Sequence, residues 1–163
     1  MGFYARHILP HLIDLAMRNK ETTRLRAAWI PQARGDVLEI GIGSGLNLPF
    51  YSDQVQHLYG VDPSLELQEM ARKRVPGRLN IEFLLQSAEE QLPLADASID
   101  TIVITWTLCS IPNPAKALHQ VRRVLKPSGT LLFSNTAVPP IAASWLGRIA
   151  SRRSGNVFQA VAI

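Results

Sequence analysis

Val37-Leu38-Glu39-Ile40-Gly41-Ile42-Gly43-Ser44-Gly45 is the stretch that decides the fold. A short apolar run is followed at once by glycine at every second position. The run is short enough for a strand and too short for a helix. Glycines at its end let the chain take positive φ and let a ligand approach the backbone. The turn is expected to open a helix whose first N–H groups are unspent. Its spacing is G-x-G-x-G. Leu46 and Asn47 follow, so no third glycine completes the G-x-G-x-x-G dinucleotide fingerprint. By itself such a turn is a plain strand-to-helix connection.

The next strand supplies the context. His57-Leu58-Tyr59-Gly60-Val61 reads as a second strand, stopped by Asp62-Pro63. Asp62 falls about 20 residues beyond the glycines, where an acidic side chain can accept both hydroxyls of a ribose. The plain alternative is a turn aspartate, because Asp62-Pro63-Ser64 is good turn chemistry. Turn and carboxylate together favour a cofactor that contains a nucleoside.

Outward from this core the chain alternates strands and helices. Ser64 is an N-cap for a helix expected to turn Leu67 and Met70 inward. Residues 80–85 form a third strand and 99–105 a fourth, with the β-branched run Thr101-Ile102-Val103-Ile104-Thr105. Ala117, Leu118, Val121, Val124 and Leu125 mark one face of a helix from Pro114. Pro127-Ser128-Gly129 reads as a turn before a fifth strand over 130–134. This alternation predicts an α/β fold, a parallel sheet with helices on both faces. Ahead of it, Ile8, Leu9, Leu12, Ile13, Leu15 and Ala16 lie at helical spacing, and a second helix covers 20–30. The stripe is expected to pack inward, as apolar helix faces usually do. The competing readings are a cap over a site and an element at a membrane surface.

The chain has 163 residues, 47% of them hydrophobic, enough for a core without covalent staples. Its one cysteine, Cys109, excludes an intrachain disulfide or cysteine-built metal site and fits a reducing, cytoplasmic setting. The net charge of +4 is spread over several segments, which reads as solvated helix faces, so no nucleic acid is expected. Weak attraction to anionic lipid is the sharper reading of the same charges. No apolar stretch approaches the ~20 residues that span a bilayer. Met1 to Pro10 lacks the apolar core of a signal peptide.

Four blocks now carry a resemblance: VLEIGIGSG (37–45), YGVDPS (59–64), SAEEQLPLADASID (87–100) and RRVLKPSGTLLF (122–133). In this order the chain resembles the class I S-adenosylmethionine-dependent methyltransferases, and within them the group containing ubiquinone and menaquinone methyltransferases. GSGLNLPFY (43–51) and TLCSI (107–111) are similar to small membrane-associated thiol methyltransferases, and the first also to bacterial phospholipid N-methyltransferases. The resemblance implies a Rossmann-like sheet, S-adenosylmethionine as cofactor, no metal, and a small-molecule or lipid acceptor. It divides the chain into a helical cap (1–35), a cofactor-binding core (36–134) and an atypical tail (135–163).

The resemblance also implies roles. Glu39, Gly41, Gly43 and Gly45 would line the methionine and ribose side. Asp62 would hold the ribose hydroxyls, with Pro63 and Ser64 beside the adenine. Gln86, Ser87, Ala88 and Glu89 would flank the adenine edge. Many relatives carry Asp where Ser87 stands, which weakens that contact. Thr105 and Trp106 would border the methyl group. No catalytic residue is assigned. His7 and His11 are the nearest candidates for a base, His57 and His119 read as structural, and Cys109 as a small buried residue.

The complete fold of these relatives has seven strands. Asn135 to Ile163 carries Pro139-Pro140 and Ser154-Gly155, with room for one short strand from Val157, so the last two strands are expected to be missing. The fifth strand would then present a bare edge. A shifted reading frame near Ser134 is the hypothesis that would account for this tail. Codons chosen for 134–141, read two bases in, give Glu-His-Gly-Arg-Ala-Pro-Asp, and an acidic–His pair is what the relatives lead one to expect there. A catalytically impaired cofactor-binding remnant is therefore the alternative to an active transferase. Sequencing the coding DNA tests the shift: an open alternative frame is expected, and stop codons in it would refute the idea.

Overall fold

The computed structural model describes residues 8–135 and 158–162. Two helices come first, α1 (Leu9–Ala16) and α2 (Lys20–Trp29). Then follow β1 (Gly35–Ile40), β2 (Val55–Val61), α3 (Leu65–Arg72), β3 (Ile81–Leu84), β4 (Ile99–Thr105), α4 (Pro114–Val124), β5 (Leu125–Asn135) and β6 (Phe158–Ala162). The strands form one sheet in the order β3-β2-β1-β4-β5-β6. Every neighbouring pair is parallel. This is the expected Rossmann-like arrangement.

Local chemistry sets the helix starts. Asn19 accepts from the Thr22 N–H at 2.8 Å and caps α2. Ser64 accepts from the Leu67 N–H at 3.2 Å and caps α3, as expected. Asn113 accepts from the Lys116 N–H at 3.2 Å, and Pro114 fills the first turn of α4, where a missing N–H costs nothing.

The central strands are covered on both faces, so they are apolar throughout rather than alternating. Leu38, Ile40, Ile102, Ile104, Leu131 and Phe133 point to one side, where α4 adds Ala117, Leu118, Val121 and Val124. Val37, Val103 and Leu132 point to the other, against Ile30, Leu48, Tyr51 and Ala71. The two-residue period of each strand thus feeds two cores.

Five expectations are corrected. The glycine turn opens no α-helix, since residues 41–54 contain only a 3₁₀ turn, Leu48–Phe50. Pro49 contributes no N–H, and the segment is held by buried side chains, Asn47 and Tyr51, rather than by a helical ladder. The apolar stripe of α1 does not pack inward: Ile8, Leu9, Leu12, Ile13 and Leu15 are all exposed, Leu15 at 70%. What α1 buries is Pro10 and Asp14. In α3 the fully buried residues are Gln68 and Ala71, with Leu67 and Met70 only partly covered. Gln68 is drawn in because its amide donates to the carbonyls of Asp62 and Leu84, each at 2.9 Å.

At the other edge, Pro127-Ser128-Gly129 does not separate α4 from β5. The strand starts at Leu125, and the triplet is an irregularity within it: from Ile99 to Thr101 on β4, the partner advances from Leu125 to Thr130. Nor is the β5 edge bare. β6 pairs along it from Leu131↔Phe158 to Asn135↔Ala162. One short strand beyond Val157 was expected, and its pairing supplies the ladder partner that an open edge lacks. The rest of the tail, 136–157, lies outside the described residues.

Ile102, fully buried at the centre of β4, tests the two-faced core. Ile102→Ala is expected to cost about 2–5 kcal/mol in urea unfolding. A cost near that of a surface change would contradict this packing.

Candidate functional site

The strand order reverses between β1 and β4, and in open parallel sheets the crevice beyond the strand ends at such a point receives the ligand. A cavity of about 270 Å³ opens there. That is near the lower end of the range for small-molecule sites. Glu39 at the end of β1, Gly41 and Gly43 of the turn, Asp62 after β2, and Thr105 and Trp106 at the end of β4 all line it. These six residues, singled out in the sequence, are brought together.

Two glycines are required by geometry. Gly41 has φ +73°, and a Cβ there would overlap the Thr107 side chain at 2.2 Å. Gly43 has φ +53°, and a Cβ would project into open space with only the Gly41 carbonyl within reach, at 3.9 Å. The absent side chain at Gly43 leaves room on the cavity wall. Across the cavity Trp106 also has positive φ, +54°. A bulky residue in that region is strained and marks a site held by its surroundings. Its N–H donates to the Ser134 carbonyl at 2.8 Å.

Asp62 spans the turn and the start of α3. It accepts from the Gly43 N–H at 3.0 Å through one oxygen and from the Ser64 N–H at 2.9 Å through the other. Burial raises its pKa, against those two backbone bonds.

Glu39 is 1% exposed and lies at the centre of a side-chain network. It accepts from Asn47 Nδ2 at 2.7 Å and from the Tyr51 hydroxyl at 2.8 Å. Asn47 also donates to Thr105 Oγ1 at 2.9 Å and accepts from Arg26 Nε at 3.0 Å. Burial raises the Glu39 pKa to about 7, opposed by Tyr51, Asn47 and the Arg26 charge, and aided by the charge of Asp62.

The front helices form the remaining wall through Ile13, Asp14, Met17 and Arg26. Asp14 accepts from Ser44 Oγ at 2.5 Å and from both terminal nitrogens of Arg74, at 2.6 and 3.0 Å. Arg18 adds an ion pair at 2.6 Å. Burial works to raise the Asp14 pKa, but the bonds from Arg74, Ser44 and Arg18 prevail and hold it at about 2. Arg74 also donates to the Ser44 carbonyl at 2.7 Å. α1 is thereby tied to the glycine turn.

The other expected residues lie outside this lining. Gly45 has a packing role, since a Cβ there would meet Leu48 at 2.7 Å and Ala71 at 2.9 Å. Pro63 is exposed and Ser64 serves as the cap of α3. Ala88 is in the core, while Ser87 and Glu89 bond to each other at 3.2 Å, and Glu89 accepts from the Asn113 N–H at 2.8 Å. Gln86 donates to the Gln91 carbonyl at 3.2 Å. His11 is exposed and does not line the cavity, and His7 lies outside the described residues. His57 contacts Asn80 at 2.8 Å and His119 is exposed on α4, and neither lines the cavity. Cys109 is exposed rather than buried, because it sits in the turn after β4 rather than under a packed element. Asp14, Arg26, Ser44, Asn47, Tyr51 and Arg74 had no role assigned. Only Asp14 left a clear mark in the sequence, as a charge inside an apolar stripe. Among the described residues no cluster of metal-ligating side chains occurs.

Residues 38–133 match the methyltransferase-domain family. The chain belongs to that family. The family depends on S-adenosylmethionine, and the sheet is its Rossmann-like sheet. The chain is 34% identical over 112 residues to human thiol S-methyltransferase TMT1B, covering 67% of this chain and 45% of that protein. It is 34% identical over 118 residues to phosphatidylethanolamine N-methyltransferase of Cereibacter sphaeroides, covering 71% and 58%. It superposes on a SAM-dependent methyltransferase from Aquifex aeolicus with a TM-score of 0.60 and 28% identity, over 75% of this chain and 70% of that one. The chain spans about half the length of the curated relatives it matches.

A buried carboxyl with a raised pKa makes a pH prediction. Folding favours protonated Glu39, so its contribution is full below the unfolded pKa of about 4.3 and is lost as pH rises through about 7. In Glu39→Gln that decline is expected to disappear from urea unfolding measured between those pH values. An unchanged pH slope would show that Glu39 is not the titrating group.

Proposed function

We propose that the chain transfers the methyl group of S-adenosylmethionine to a small-molecule or lipid acceptor. The observation that carries this reading is the junction of the glycine turn with Asp62 in one cavity at the switch point. The open wall at Gly43 admits a ligand close to the backbone. Asp62 offers a carboxylate suited to ribose hydroxyls, and Trp106 and Thr105 line the same cavity. When bound, the cofactor would supply a methyl group already activated by its sulfonium charge. The protein's part is to hold donor and acceptor in line and exclude water.

Residues 1–35 act in this reading as a cap over the core of 36–134. Ile13, Met17, Leu46 and Trp106 make the apolar side of the cavity, and the exposed leucines and isoleucines of α1 continue that apolar surface outward. This supports an apolar acceptor and peripheral contact with a lipid surface. Among the described residues no helix is long and apolar enough to cross a membrane. No histidine lines the cavity among the described residues, which favours an acceptor that ionises readily by itself, such as a thiol. Quinone-type and phospholipid amine acceptors follow.

The alternative is a cofactor-binding remnant without turnover. One experiment separates them. Calorimetric titration with S-adenosylmethionine is expected to show binding that Asp62→Ala weakens about ten- to a hundredfold, the worth of a hydrogen bond to a charged group. Labelled methyl transfer is then measured to an alkyl thiol, a reduced quinone and phosphatidylethanolamine vesicles. Transfer supports the enzyme, binding without transfer to any supports the remnant, and no binding by folded protein contradicts both.

A further inference from the structure

A second cavity, of about 480 Å³, lies beside the first and shares Arg26 and Leu46 with it. Three arginines line it, Arg18, Arg26 and Arg74, together with the apolar Leu46, Pro49 and Phe50. Among the described residues no carboxylate lines it. The first cavity has the opposite character, with Asp14, Glu39 and Asp62 in its wall and one arginine. Like charges gathered in a cavity are costly when no anion answers them, and the cost falls when one arrives.

One carboxylate serves two of the three arginines. Asp14 pairs with Arg18 at 2.6 Å and accepts from both terminal nitrogens of Arg74, at 2.6 and 3.0 Å. These bonds, with the one from Arg74 to the Ser44 carbonyl at 2.7 Å, orient the two guanidiniums. Arg26 is 5% exposed, and no carboxylate pairs with it among the described residues. Its Nε donates to Asn47 Oδ1 at 3.0 Å and its Nη1 to the Met17 carbonyl at 2.9 Å, which hold its fork in place. Three held cations against one carboxylate at contact leave an excess of two positive charges. Neither the glycine turn nor Asp62 makes use of it.

We propose that this second cavity binds a phosphate monoester with an apolar body. A monoester carries about −1.5 to −2 charges at pH 7, which matches the excess better than the single charge of a carboxylate. Guanidinium forks also fit phosphate oxygens in pairs. Leu46, Pro49 and Phe50 offer the carbon chain an apolar wall, which inorganic phosphate leaves uncovered. The site does not depend on what fills the first cavity. Where the cofactor reading above holds, the shared wall of Arg26 and Leu46 sets this ligand beside the methyl donor. The inference then deepens that reading, and rests on it for this step alone, by giving the acceptor a phosphate at one end.

The test is calorimetric titration of the full chain with octyl phosphate, octanoate, octanol and inorganic phosphate. Octyl phosphate is expected to bind about tenfold more tightly than any of the others. Arg74→Gln is expected to weaken it about ten- to a hundredfold, and Arg18→Gln, at a half-exposed position, about two- to fivefold. Circular dichroism confirms folding, and Arg18→Gln carries the comparison if Arg74→Gln unfolds. Lys20→Gln removes an exposed cation that lines neither cavity, and no change is expected. Asp62→Ala, which alters only the first cavity, is expected to leave octyl phosphate binding intact. Phosphatidylcholine vesicles containing phosphatidic acid identify the source: cosedimentation means a lipid-borne monoester, and octyl phosphate binding without it a soluble one. Equal affinity for octyl phosphate and octanoate or octanol overturns the inference, and so does a loss in Lys20→Gln or Asp62→Ala as large as in Arg18→Gln. If S-adenosylmethionine fails to bind while octyl phosphate binds, the cofactor reading falls and the second site stands.

Discussion

A carboxylate buried at the end of the first strand organises the site. Glu39 cannot lie at 1% exposure without partners, because an unpaired buried charge would cost more than the fold can tolerate. Its partners come from the segment that returns from β1 to β2. Asn47 and Tyr51 each donate to one of its oxygens. That demand explains why the return is a looped 3₁₀ path rather than a regular helix: the chain is arranged to deliver two donors inward. Asn47 then passes the constraint on to Thr105 on β4 and to Arg26 on α2. One buried acid thus ties together two central strands, the crossover and a front helix.

A second acid extends the same logic to the first helix. Asp14 reaches the glycine turn through Ser44, and Arg74 bridges both from the end of α3. The polar side of α1 is therefore the inward one, and its apolar side faces out. Such an inversion suits a helix that closes a polar cofactor cavity while presenting leucines and isoleucines to something apolar outside. The two acids are shifted in opposite directions for a physical reason. Asp14 has two arginines at contact distance and stays ionised, whereas Glu39 has only neutral donors at contact and a distant guanidinium, so burial prevails.

The sheet was legible because its strands are buried on both faces. Continuous apolar runs such as Ile102-Val103-Ile104 announce themselves without any knowledge of partners. The glycine turn and Asp62 were legible because backbone conformation and a strand-end carboxylate leave local marks. The wall from the front helices was not legible. Asp14 and Arg26 act through contacts across 30 and 21 positions, to Ser44 and Asn47, and no local spacing encodes those. The α1 stripe misled for a related reason. Helical periodicity tells which residues share a face, not which face is covered. The same holds at β5, where the Pro-Ser-Gly triplet looked like a turn but is absorbed as an irregularity because the ladder to β4 resumes beyond it.

The most direct measurement is a structure of the chain with S-adenosylhomocysteine bound. The ribose hydroxyls are expected on the Asp62 carboxylate, with the amino-acid end inside the cavity bounded by Gly43, Glu39, Arg26 and Trp106. A ligand bound elsewhere, or in this cavity with its ribose away from Asp62, would contradict the central claim that the glycine turn and Asp62 form the cofactor site.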